Sequence, residues 1–420
     1  MLLYDKIDVQ TGKMSEVNRQ MFQTTKIAGE DLAPRGFYSM KSIGKYEFNF
    51  DSEKKMLCVS YRLLPEFRNN KKNYDKIGFQ VFDDNMKKLW GNEFTMPYTE
   101  RVMDNSDFSV DAKGNAYMIA KVYDNEKRIE KDKVTGLPGF HYEVFKFSKD
   151  SKTPAVIPVS VDENFISETS ITESSKGDMI IACTYSKKAK GVGTDGIFLA
   201  TIDKDNKLVK FKNGFYEFPK SELTKFVGAK EKKRIEDKED YEALNLVVHD
   251  VIIEKDGSVL ITCEDYQWVV NTYTSSNGSM RSTETFVYND ILVAKVNPDG
   301  EFAWLRKIPK RQKGMRGRGT MGFKLINDET GYYFLYLDNL KNLNITEDQA
   351  PAYHSDGKGG QVMVTKIDMK GAMTKELLFD TREEDIMIYP ADFYRIDGNR
   401  FIGRAKIKKT LFQPLLITSK

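Results

Sequence analysis

No stretch of the chain approaches the ~20 consecutive apolar residues of a membrane-spanning helix, so the sequence carries no transmembrane segment. Cysteine is scarce: Cys58, Cys183 and Cys263 are the only three in 420 residues. They lie far apart, fit no CxxC metal or redox spacing, and are an odd number for a disulfide framework. They read as buried small hydrophobes. Histidine is equally rare, and His141, His249 and His354 each stand alone, without an HxxxH or HxH pair. An excess of one charge is missing too, since 65 basic and 62 acidic side chains leave a net +3. That balance excludes the broad basic field with which a protein is drawn onto nucleic acid or an anionic membrane. Helical periodicity is almost absent. No GxSxG elbow, SxxK or P-loop occurs, and "HSDGKGG" at His354 has too few oxygen ligands for an EF-hand. No cofactor and no metal are implied. The opening "MLLYDK" lacks the apolar core of a signal peptide and enters a strand pattern at once, as a trimmed mature chain or an intact cytoplasmic start would.

The composition that remains, 40% hydrophobic and 12% aromatic against 30% charged, is a globular balance rich in the Tyr and Phe that suit pleated surfaces. At 420 residues the chain exceeds the usual single-core size, so it is either several domains or one repeat architecture.

The turns carry a repeat. "DAKGNAYMIAKVYDN" from Asp111, "SSKGDMIIACTYS" from Ser174, "EKDGSVLITCEDY" from Glu254, "NDETGYYFLYLDN" from Asn327 and "RIDGNRFIGRAKI" from Arg395 share one pattern. Each is a polar turn closed by Gly, then an apolar run, then a polar exit. The glycines Gly114, Gly177, Gly257, Gly331 and Gly398 recur at intervals of 63 to 80 residues. Cys183 and Cys263 fall six residues after their glycine, where Ala120 stands in another copy, and Cys58 in "MLCVSY" fits the same strand. A second series follows the first: "IGFQVFDDNMKKLW", "YEVFKFSKDSKTP", "IFLATIDKDNKLV", "ILVAKVNPDGEFAW" and "VMVTKIDMKGAM". Each of these is a strand, a tight turn and another strand, so every unit reads as four antiparallel strands.

Such units are the blades of a β-propeller. The expectation is an all-β propeller, a single domain over residues 1–420, with six blades, or seven if "LFQPLLITS" counts as an extra strand. The N-terminal strands would close the last blade. Two insertions interrupt the repeat. Residues 219–243 have helix formers and dense mixed charge, predicting a short helix and a solvated linker. Residues 266–290 alternate Val, Tyr and Thr around an Asn-Gly turn, predicting an extended β-hairpin.

"AKVNPDGEFAWLRKIPKRQ", "FSVDAKGNAYMIAKVYDN" and "YTSSNGSMRSTETFVYNDI" resemble an uncharacterised family of secreted propeller-like proteins of Bacteroidota. The resemblance runs from about Trp90 onward. It implies fold and export to the periplasm or cell surface, and no reaction.

Two surfaces stand out. "RKIPKRQKGMRGRG" (Arg306 to Gly319) holds seven Lys or Arg, no acid and no aromatic. It reads as a solvated inter-blade loop, and Lys310, Arg311, Lys313, Arg316 and Arg318 become candidates for binding an acidic partner rather than nucleic acid, which calls for interleaved aromatics. In the hairpin, Trp268, Tyr273, Phe286 and Tyr288 predict an exposed aromatic ridge suited to a protein or a sugar. "GVGTDG" at Gly191 matches a dinucleotide fingerprint but precedes a strand, so it reads as a loop. Acids number 62, so spacing singles out no catalytic carboxylate. These features point first to a non-enzymatic binding or scaffolding propeller of the bacterial cell envelope, holding a protein partner in an assembly such as outer-membrane secretion or gliding machinery. The alternative is a glycan-binding or glycan-hydrolysing propeller, the enzyme marked by a deep channel with carboxylates of raised pKa.

Overall fold

A computed structural model describes residues 1–8, 11–29, 45–67, 71–161, 164–174, 176–187, 193–237, 243–244, 246–275, 277–315, 319–328, 330–397, 400–407 and 411–418. The chain divides into two compact units: Met1–Asp162 with Ser170–Ile181 and Thr201–Val209, and Glu163–Thr169 with Ala182–Ala200 and Lys210–Lys420. The protein is all-β, built of the four-stranded antiparallel sheets that β-propeller blades require.

In the first unit, Glu47–Phe50, Met56–Arg62, Tyr74–Asp83 and Lys88–Thr99 form one such sheet in chain order. Met103–Val110, Ala116–Tyr123, Phe140–Phe147 and Ala155–Val159 form the next. Their facing sides share one core, where Phe147 lies 4.4 Å from Phe79 and 4.9 Å from Phe94, ring centre to ring centre. All eight residues of Ala116–Tyr123 are buried, so this second strand is covered on both faces and its burial shows no alternation. The repeated turn works as its sequence predicts. At Asp111 and again at Glu254, the first residue's N–H reaches the carbonyl four residues on, and the glycine N–H returns to the first carbonyl. Gly114 and Gly257 hold φ of 76° and 95°, a region that glycine enters without steric cost. Gly398 lies outside the described residues.

The N-terminal strands Leu2–Ile7 and Met14–Phe22 pair with each other as a hairpin, which packs through Phe22 against Tyr61. The last sheet, built from Ile386–Ile388, Tyr394–Asp397, Arg400–Ile407 and Leu411–Thr418, draws its fourth strand from the C-terminal segment. The expected closure of that sheet by the N-terminal strands is therefore corrected. "LFQPLLIT" supplies eight residues of ladder along Arg400–Ile407, occupying the edge the N-terminus was meant to take.

The second unit also contains the sheet that matters for function. Leu246–Ile253, Val259–Thr274, Met280–Val296 and Phe302–Ile308 pair in sequence. The two middle strands continue past their neighbours as the extended hairpin, turning at Ser275–Ser279 with Gly278 left-handed, as Asn-Gly predicts. Lys324–Asp328, Gly331–Asp338, Gln361–Asp368 and Met373–Asp380 form the following sheet, and Trp304, Phe334 and Tyr336 lie in the core the two sheets share. The stretch read as a short helix and a solvated linker forms two helices, Lys220–Leu223 and Ala229–Glu236, and Leu223, Phe226 and Ile235 are buried.

Cys58, Cys183 and Cys263 each sit on the second strand of a sheet and are buried free thiols. Burial pushes all three thiols up, Cys263 to about 12. Since the thiolate is the reactive species, Ellman's reagent should find no reactive thiol in the folded protein and three after unfolding in guanidinium. Rapid reaction of any of them in the native protein would contradict the shared core position.

Candidate active site

Glu264 and Asp265 are neighbours on the strand Val259–Thr274 and point to opposite faces of the sheet. Glu264 and Lys310 are both fully buried. Lys310 Nζ donates to Glu264 Oε1 at 2.6 Å, to the Tyr288 carbonyl at 3.1 Å and to Gln312 Oε1 at 3.2 Å. His249 Nε2 lies 2.9 Å from the other Glu264 oxygen. Burial alone would raise the Glu264 carboxyl, but the Lys310 ammonium and the His249 ring outweigh it and hold it down at about 2. Gln312 in turn donates to the Leu337 carbonyl at 2.6 Å and accepts from Gly322 N–H at 2.8 Å.

This network orders the segment that the sequence presented as a solvated loop. Lys310 and Gln312 point inward while Arg311 and Lys313 point away, in strand alternation. Gln312–Gly314 pairs with Phe286–Tyr288 on one side and with His354–Ser355 on the other. The candidacy of Lys310 as an exposed partner contact is corrected: its charge is spent on Glu264. Arg316 and Arg318 lie outside the described residues. The aromatic ridge is corrected in part. Trp268 is exposed and stacks on half-buried Phe286 at 6.2 Å with 5° between planes. Tyr288 is buried against Tyr266, and Tyr273 is exposed on the opposite face of the hairpin. Gly196–Ile202 is the strand expected to follow "GVGTDG", but within the stretch read as a loop Gly193–Thr194 pairs with Ala243–Leu244; Gly191 and Val192 lie outside the described residues.

Asp265 lies opposite a β-bulge formed by Asn289 and Asp290. The register steps from Glu264 opposite Ile291 to Tyr266 opposite Tyr288, so Asp265 faces both Asn289 and Asp290. Bulges re-aim side chains, and here the three converge on a cleft of about 360 Å³. Its other walls come from Leu223, Phe226 and Glu231 of the helical insertion, Leu292 of the sheet, Lys307, Lys310 and Arg311 of the basic stretch, and Pro351. The insertion is held in place by Lys307, which donates to the carbonyls of Leu223 and Lys225 at 3.3 and 2.9 Å and pairs with Asp290 at 3.1 Å. Phe226 N–H also donates to the Glu347 carbonyl at 2.6 Å.

Asp265 Oδ2 accepts from Asn289 Nδ2 at 2.9 Å. Its Oδ1, and Oδ1 of Asn289, are buried and meet no partner among the described residues. Burial pushes the Asp265 carboxyl up to about 6 against the Asn289 hydrogen bond, and the nearby Asp290 charge adds to the rise. The cleft thus holds a carboxyl that keeps its proton into mildly acidic solution beside one paired with an ammonium. Among the described residues no cluster of His, Cys, Asp and Glu is arranged to hold a metal. The sequence reading missed Asp265, Asn289, Asp290 and Lys307. One signal was available: Asp265 and Asp290 bracket the hairpin insertion at residues 266–290 and must meet once it pairs.

No family model and no curated protein matches the chain. Solved structures with some likeness include a Hadza microbial sialidase, Hz136, at 10% identity and TM-score 0.39, covering 89% of this chain and 65% of the sialidase. The chain thus spans less than two thirds of that protein's length. A polysaccharide lyase of family PL25, an ulvan lyase, matches at 10% identity and TM-score 0.40 over 89% of this chain and 79% of the lyase. An N-acetylgalactosamine deacetylase from F. plautii matches at 8% identity and TM-score 0.32 over 63% of this chain and 70% of that one. Against the expected non-enzymatic scaffold holding a protein partner stands the burial of Lys310 and Tyr288, two of its contact residues. That expectation is corrected. At such TM-scores the likeness transfers no activity, and the functional reading rests on the cleft. Among the described residues no helix is long and apolar enough to cross a membrane.

Removing one member of a buried ion pair strands the other, at a cost of about 3–5 kcal/mol, whereas replacing both is much cheaper. Urea unfolding at pH 7 should show that loss for Glu264→Gln and for Lys310→Met, and a smaller one for the double variant. The Glu264 carboxyl is depressed on folding, so its contribution is whole above its ordinary value of 4.5 and fades as pH falls toward about 2. The deficit of Glu264→Gln should shrink in step. Additive losses in the double variant would show that the pair is not coupled.

Proposed function

We propose that the cleft binds a carbohydrate and that Asp265 donates a proton in the cleavage of a glycosidic bond. The carrying observation is the Asp265 carboxyl, set at a bulge on the cleft wall with one buried oxygen lacking a partner. A glycosidic oxygen leaves poorly until protonated, so cleavage in mildly acidic solution needs a carboxylic acid that still holds its proton there. Asp265, raised to about 6, meets that need. Asp290, paired with Lys307, is the second carboxylate. In hydrolysis the Asp265 proton passes to the leaving oxygen, the bond from the anomeric carbon to that oxygen breaks with its electron pair on the oxygen, and water adds at the carbon and yields its proton to Asp290. Leu223, Phe226, Leu292 and Pro351 offer apolar walls to the C–H faces of a sugar ring. A glycan substrate accords with a periplasmic or cell-surface site of action, and the sequence resemblance to secreted propeller-like proteins supports it.

The test is release of reducing ends from a panel of plant, algal and host polysaccharides. Asp265→Asn should lower the rate about 10²–10⁴-fold with the fold intact, and wild-type activity should decline as pH rises through about 6. Turnover retained in Asp265→Asn removes the assignment. Binding without cleavage by the wild type reduces the reading to sugar recognition.

A second outcome concerns stability. The folded state holds the Asp265 proton more tightly than the unfolded chain, whose carboxyl titrates near 3.8, so the wild type loses stability as pH rises from there through about 6. Asp265→Asn escapes that loss. Thermal unfolding should show the variant about 1–3 kcal/mol more stable at pH 8 and no different at pH 4; a variant less stable than wild type at pH 8 would contradict the burial argument.

A further inference from the structure

The charges around the cleft nearly all have partners. Lys307 pairs with Asp290 at 3.1 Å, Lys310 with Glu264 at 2.6 Å, and Glu231 with Arg234 at 2.6 Å. Arg311 is the exception. Its guanidinium lies over the Tyr353 ring, 4.1 Å from the ring centre, and Lys313 Nζ lies 4.7 Å from the same centre. Among the described residues neither cation meets a carboxylate. Both project from one side of a short strand hydrogen-bonded along its two edges, and Tyr353 is itself exposed. A cation stacked on an aromatic face is held in place at little cost to its charge. The guanidinium fork matches a planar carboxylate, with two parallel N–H donors for two oxygens.

Resting on the carbohydrate reading above, we propose that the ligand is a sugar acid whose carboxylate docks on Arg311 at the rim of the cleft, with Lys313 adding to the attraction. The ammonium and guanidinium groups differ in what they select. Lys313 presents a point charge that favours any anion, whereas Arg311 favours the bidentate carboxylate.

The experiment uses the full chain and oligosaccharides of pectin, alginate and hyaluronan, each beside its carboxyl-reduced form, with binding followed calorimetrically at low salt. The acidic member of at least one pair should bind ten or more times tighter than its reduced form. Arg311→Gln should bring the acidic affinity down to that of the reduced form, its melting curve certifying an intact fold. Reduced forms that bind as tightly as the acids overturn this proposal and leave the carbohydrate reading standing. An acid preference that survives in Arg311→Gln overturns the role of Arg311. Failure of every acidic and reduced oligosaccharide to bind overturns the carbohydrate reading and this proposal together.

Discussion

The ion pair between Glu264 and Lys310 is the constraint on which the cleft depends. Both charges are removed from water, which is costly unless each finds close partners. Glu264 takes Lys310 and His249, and Lys310 takes Glu264, the Tyr288 carbonyl and Gln312. These contacts seal the basic segment against the sheet. With Lys310 drawn inward, Arg311 is left on the outer side of the strand, and Asp290 Oδ1 accepts from the Lys310 backbone N–H at 3.2 Å while its other oxygen meets Lys307. The same pairing thus sets the places of Asp290 and Arg311 on the cleft wall.

Two adjacent carboxyls show how far environment governs chemistry. Glu264, buried against two nitrogenous partners, is held at about 2, while burial raises Asp265 to about 6 against its amide neighbours and the more weakly acting Lys307. Burial raises Asp265, and the Lys310 and His249 contacts overcome the same effect at Glu264. A regular ladder would set one residue opposite Asp265, whereas the extra residue brings both Asn289 and Asp290 to it. An unpartnered buried oxygen is a standing cost to the fold, and such costs are retained where a ligand or a proton makes use of them.

Much of the sheet architecture was legible because glycine turns and apolar runs are local signals. Gly114 and Gly257 needed their backbone conformation, and the Asn-Gly turn at Gly278 set the hairpin. The site was legible only in fragments. Counting cations in "RKIPKRQKGMRGRG" suggested a solvated loop, yet Lys-Arg-Gln-Lys at 310–313 alternates inward and outward as a strand does. Composition cannot reveal that, since a lysine's burial depends on Glu264, 46 residues away in sequence. The helical insertion looked solvated because its charges outnumber its apolar residues. Leu223 and Phe226 nevertheless form a wall, held by lysine contacts to backbone carbonyls that no side-chain pattern encodes. The N-terminal strands were assigned to the last sheet because they match its pattern, but a strand next in sequence reaches the same edge with less chain to order.

The most direct measurement is the titration of the Asp265 side-chain carbon by carbon-13 NMR in the intact protein, with the resonance assigned by its absence in the asparagine variant. The account predicts a single protonation with a midpoint near 6. A midpoint at or below the ordinary 3.8 would show an ionised, solvated carboxylate and would remove the proton donor on which the functional reading stands.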